Sequence, residues 1–129
     1  MGARLHVLEA GPLSGTPLVL LHGFGGYAVS WAPVIEAMPK DVRIIAFDLP
    51  GHAGSLNYPG FGSPRVAAFA VLAELEARGI TKAHAAGHSM GGAIAAHLAN
   101  CGIPSAMLDI VPPNLEEKDK TNPKKRNAF

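Results

Sequence analysis

One serine, Ser89, stands among glycines in the run Gly87-His88-Ser89-Met90-Gly91-Gly92, where a short apolar stretch gives way to a helical pattern. A hydroxyl presented at such a corner requires a sharp strand-to-helix turn that strains the serine backbone, and side chains two positions either side would collide. Gly87 and Gly91 remove those collisions, and Gly92 permits close helix packing. A helix starting at Met90 turns free N–H groups and the positive end of its dipole toward Ser89, where they stabilise negative charge on an attacked carbonyl oxygen. The chemistry this suits is nucleophilic attack by Ser89. In a chain with 15 glycines the five-residue pattern also arises by chance, so its weight comes from the strand before it and the helix after it. The plainer alternative is a tight glycine turn whose serine only caps a helix.

A second run, Leu20-Leu21-His22-Gly23-Phe24-Gly25-Gly26, closes an apolar strand expected beside the one that leads to Ser89. Its glycines let backbone approach a ligand, which makes the Phe24 N–H a candidate partner of the Met90 N–H in a two-donor oxyanion hole. Taken alone, the run is an ordinary strand-to-helix loop; beside Ser89 it acquires a role. A serine nucleophile also needs a base, and the base an orienting partner. Six histidines are available. His88 adjoins Ser89, but strand alternation should point it elsewhere. His97 lies two helical turns on, roughly 12 Å along the axis. His6 and His84 fall at or near the far ends of strands. His22 and His52 occupy loops at the site edge and are the nearest substitutes, although structural roles are the expectation for both.

The elements that must position these residues alternate. "ARLHVLEA" is a short extended segment, and "PLVLLHG" and "VRIIAFDL" are apolar runs suited to strands buried on both faces. "SWAPVIEAM" reads as a helix capped by Ser30, with Pro33 in its first turn. "GHAGSLNYPGFGS" is a loop without a period. Ser63-Pro64 starts a helix that places Val66, Phe69, Ala70, Ala73 and Leu75 largely on one face and stops at Gly79. "KAHAAG" is a short strand, Met90 to Cys101 is helical, and "SAMLDIV" at 105–111 is a last buried strand. Strands alternating with helices imply right-handed crossovers, hence an α/β fold: a doubly wound, mostly parallel sheet with helices on both faces. Residues 1–112 form the core, and 113–129 a polar tail without periodicity.

Composition agrees with one soluble domain: 129 residues, 48% hydrophobic and 16% charged. Up to Pro113 six Lys/Arg face seven Asp/Glu, which gives no electrostatic reason to expect nucleic acid. A single cysteine, Cys101, excludes an internal disulfide and suits a reducing compartment. The N-terminus has neither a signal-peptide run nor a myristoylation pattern, and no apolar run approaches the roughly 18 residues of a membrane helix. A cytoplasmic location is expected. No cofactor or metal is implied.

"LVLLHGFGG…SW", "IIAFDLPGHAGS" and "GHSMGGAIA" together resemble the α/β-hydrolase fold family, in order and at suitable spacing across Pro17 to Ala96. The resemblance implies Ser89 as nucleophile, Phe24 and Met90 as oxyanion donors with His22, Gly23, Gly87, His88, Gly91 and Gly92 supporting them, and the loop from Asp48 to Ser55 shaping the pocket. It also implies the strand order four-three-five-six, with the serine-bearing strand in the middle. Family members run longer and place the catalytic acid and histidine after later strands, in the order Ser, acid, His. Asp109 resembles the acid that some members carry after the sixth strand. No histidine follows it in this sequence. The expected fold therefore lacks its last strands, and the strand at 105–111 becomes an edge open to self-association. The implied activity is hydrolysis of a small ester, thioester or related acyl substrate, very weak in this chain alone. The alternatives are a non-catalytic remnant or interaction module and a non-hydrolytic member such as a lyase. A serine rather than an aspartate argues against displacement of the haloalkane dehalogenase type.

Overall fold

The computed structural model describes residues 4–100. Asp109, the strand expected at 105–111, Cys101 and the tail at 113–129 lie outside the described residues. Four strands form one mixed sheet: β1 Val7–Ala10, β2 Leu18–Leu21, β3 Ile44–Phe47 and β4 His84–Gly87, in the order β1-β3-β2-β4. β2 runs parallel to both β3 and β4, with Leu21 level with Phe47 on one side and Gly87 on the other. β1 is antiparallel to β3. The β3-β2-β4 portion is the four-three-five part of the order that the family resemblance implies.

The sheet is buried from both sides, as its unbroken apolar strands require. Val19, Leu21, Ile45 and Phe47 point into one core, packed by Val71 and Leu75 of α2 (Pro64–Ala77) and Ile94 and Leu98 of α3 (Met90–Asn100). Leu20, Ile44 and Ala46 point the other way, against Trp31 and against Ile35 of the short α1 (Ala32–Ala37). Period-two alternation thus splits each strand between two cores, the doubly wound arrangement. Among the described residues, no helix is long and apolar enough to cross a membrane.

Two expectations need correction. The helix expected over "SWAPVIEAM" is divided into a 3-10 turn, Ala28–Trp31, followed by α1. Ser30 does not cap it; its Oγ accepts the Tyr27 N–H at 3.3 Å inside the turn. The cause is Asp48, whose Oδ1 accepts the N–H of buried Ala28 at 2.7 Å and so fixes the chain before the helix begins. On α2, Ser63 caps as expected, accepting Val66 N–H. Its buried face, however, is Ala67, Ala68, Ala70, Val71, Glu74 and Leu75, while Val66, Phe69 and Ala73 are exposed. The small residues face inward because α2 packs closely on α3, and Glu74 is buried because Arg4 and Arg78 pair with it.

Candidate active site

Ser89 sits at the corner between β4 and α3 with φ +56°, a left-handed conformation that side-chain-bearing residues seldom adopt. The glycines that permit it are tightly enclosed. A Cβ at Gly87 would fall 2.1 Å from Gly91 O, and one at Gly91 would fall 2.0 Å from Leu21 O. Strand β4, helix α3 and strand β2 therefore meet with no room for side chains, and the close approach drives Ser89 out of the sheet. A Cβ at Gly23 would lie 3.4 Å from the Ser89 Cβ, which places the loop after β2 directly against the corner.

That loop is held by two buried imidazoles. His22 Nε2 accepts the Leu49 N–H at 3.0 Å, so the ring proton lies on Nδ1, which donates to Gly23 O at 2.7 Å. His52 Nε2 accepts the Gly25 N–H at 2.9 Å, and its Nδ1 donates to Pro50 O at 3.1 Å. Each ring thus joins the loop after β2 to the loop after β3. Burial pushes the His22 pKa down, more than its hydrogen bond to Gly23 raises it, and the neighbouring His52 adds to the fall. Both rings are committed to backbone, the structural role expected of them.

The same bonds sort the backbone donors. Gly25 N–H goes to His52, Gly26 N–H to Gly23 O, Gly91 N–H to His88 O and Gly92 N–H to Ser89 O. Among the described residues, the Phe24 and Met90 N–H groups have no such acceptor. Asp48 braces the arrangement from behind. In addition to Ala28, it accepts from Gly54 N–H at 3.0 Å and from His6 Nδ1 at 2.8 Å. The loop from Asp48 to Ser55 consequently buttresses the pocket and does not line it.

Ser89 opens on a cleft of about 540 Å³ lined by His22, Phe24, Trp31, Val34 and His88 among others. His88 corrects an expectation. It lines the cleft beside Ser89, because the strand ends at Gly87 and alternation lapses in the turn. His6 is a second correction. The antiparallel sense of β1 brings it to the sheet edge that carries Ser89, beside Asp48. It is still three strand spacings away, on the order of 14 Å. Among the described residues, no imidazole is hydrogen-bonded to Ser89 Oγ. Val34 and the pairing of the Phe24 and Phe61 rings, which stand 5.3 Å apart, have no role assigned from sequence, and Trp31 enters there only within the "SW" of the resemblance. The "SW" pair at a loop-to-helix junction and an aromatic in a glycine-rich loop were the available signals.

A model of the α/β-hydrolase fold matches residues 16–111. The chain belongs to the α/β-hydrolase fold family. Among curated relatives of this member, the dihydrolipoyllysine-residue acetyltransferase component of the acetoin cleaving system of Pseudomonas putida is 45% identical over 98 residues, covering 76% of this chain and 26% of that protein. The 2-succinyl-6-hydroxy-2,4-cyclohexadiene-1-carboxylate synthase of Salmonella arizonae is 41% identical over 102 residues, covering 78% of this chain and 39% of the synthase. Among solved structures, the epoxide hydrolase CorEH superposes with a TM-score of 0.73 at 31% identity, covering 84% of this chain and 39% of the other. The chain thus spans between about a quarter and two-fifths of the length of these proteins.

Proposed function

We propose that this chain carries the nucleophile and the oxyanion-binding donors of an acyl-transfer site. It would act on a small ester, thioester or related acyl substrate through an acyl-Ser89 intermediate. Ser89 Oγ attacks the acyl carbon as its proton passes to a base, and the carbonyl oxygen gathers charge between Phe24 N–H and Met90 N–H. The leaving group departs with that proton as the carbonyl re-forms, and water then cleaves the acyl-Ser89 bond to release the acid. The observation that carries this reading is the left-handed Ser89 at the head of α3, facing a cleft, with those two N–H groups unengaged. Among the described histidines, His22 and His52 are bound to backbone, His6 is too distant, and His88, which lines the cleft, is not hydrogen-bonded to Ser89 Oγ, so no base is seated on the hydroxyl. Without a base, turnover by the 129-residue chain falls by orders of magnitude, on the scale of ~10⁴ or more.

A fluorophosphonate probe tests the assignment. Slow phosphonylation confined to the tryptic peptide containing Ser89, and lost in Ser89→Ala, is the expected result. Labelling spread over the other serines, or absent after prolonged exposure, contradicts it. A non-hydrolytic activity at the same corner is the second reading. It is favoured by the 41% identity to a protein named as a synthase.

A further inference from the structure

The cleft beside Ser89 has one apolar side. Phe24, Trp31 and Val34 supply its apolar surface, and no Lys, Arg, Asp or Glu is found among its described lining residues. Phe24 is 66% exposed and Val34 40%, so both are presented to whatever enters. Phe61, 58% exposed, tilts against Phe24 with ring centroids 5.3 Å apart, and both rings rest on His52, at 5.5 and 5.7 Å. This collar is built rather than incidental. Phe61 lies over Gly51, where a Cβ would come within 2.2 Å of the ring, and Gly51 takes φ +81°. Large aromatic surface held in water at a cleft mouth marks a place for an apolar ligand.

The charge on the lining points the same way. His22 accepts a backbone N–H on Nε2 and donates from Nδ1, so it carries no positive charge in this arrangement. His88 is the other titratable group on the lining. An anionic acyl group would lose hydration against Phe24 and Val34 without a guanidinium or ammonium among these residues to pair with. We infer that the cleft takes a neutral, apolar acyl group, aryl or branched alkyl, and discriminates against acyl groups that carry a carboxylate. The inference rests on the reading that Ser89 attacks an acyl carbon, and it concerns the wall, not the hydroxyl.

Trp31 is the chain's single tryptophan, so its fluorescence reports occupancy of the cleft directly. The probes are two ketones that cannot be hydrolysed: phenylacetone, and 4-(2-oxopropyl)benzoate, which adds a carboxylate to the same ring. The full 129-residue chain is titrated with each. Phenylacetone should quench or shift Trp31 emission with a Kd about tenfold or more below that of the benzoate. Phe24→Ala should weaken phenylacetone about fivefold or more. Val34→Lys, on an exposed position, should tighten the benzoate about tenfold, a gain that misfolding cannot imitate. Equal affinity for the two ketones, no response to either, or an affinity for phenylacetone unchanged in Phe24→Ala overturns the inference. The ligand preference should persist in Ser89→Ala. Failure of the preference therefore condemns the wall, whereas failure of fluorophosphonate labelling condemns the nucleophile.

Discussion

His22 shows how one side chain fixes both a loop and a pH limit. Its ring must be neutral to accept the Leu49 N–H, and burial, followed by the nearby His52, holds its pKa below the ordinary 6.5 despite the opposing pull of Gly23 O. In the unfolded chain the same ring protonates near 6.5. Between the lowered folded value and 6.5 the unfolded state therefore binds more protons, and stability rises with pH. The contribution is complete above 6.5, declines as pH falls through that value, and levels off below the folded pKa. Urea unfolding between about pH 7.5 and about pH 5.5 should show this loss, and His22→Gln should flatten the slope. A slope unchanged by the substitution would mean that the ring titrates normally in the folded state.

Among the elements, the β4–α3 corner makes the heaviest demand on residue type. In Gly87→Ala the new methyl would stand 2.1 Å from Gly91 O, a backbone atom that cannot swing aside. The substitution should cost about 3 kcal/mol or more, read as a lower urea midpoint at unchanged m-value. A loss under about 0.5 kcal/mol, the range of ordinary surface changes, would show that the corner is looser than described. This corner was legible in the sequence because glycine spacing reports steric exclusion directly. The buried strands were legible for a similar reason: "LVLL" and "IIAF" are apolar at every position and fit only a sheet covered on both faces. The inward face of α2 was legible only in part: Ala70 and Leu75 are buried as expected, but Val66, Phe69 and Ala73 are not. Hydrophobicity points to Val66 and Phe69, yet the contact with α3 selects Ala67, Ala68 and Val71, since close helix packing favours small side chains over greasy ones. Nor did sequence show that β1 is antiparallel, because strand direction depends on partners distant in the chain. The site followed the same division. The Ser89 corner is local and was readable, whereas the placing of His6, His88 and Phe61 depends on tertiary contacts.

Across the whole molecule, charge ties the N-terminal segment to the helical layer. Buried Glu74 of α2 accepts from Arg4, ahead of β1, and lies 3.5 Å from Arg78, which in turn pairs with Glu9 of β1 at 3.2 Å. The Arg4 hydrogen bond holds the Glu74 carboxyl below its usual 4.5, against the opposing effect of burial. Its contribution is present above 4.5 and disappears as pH falls through the depressed folded value. Glu74→Gln should therefore remove an acid-unfolding limb below 4.5 and leave the limb near 6.5 in place. An unchanged acid limb would contradict the pairing. At this scale the central proposal is that Ser89 Oγ, at the corner of the sheet, is the nucleophile that takes up the acyl group. Intact-mass and peptide mass spectrometry after exposure to p-nitrophenyl butyrate tests this most directly. A single butyryl group should accumulate on Ser89, faster when imidazole is added as a base from solution, and should be absent in Ser89→Ala. Butyryl groups distributed over lysines and other serines, with no response of Ser89 to imidazole, would contradict the account.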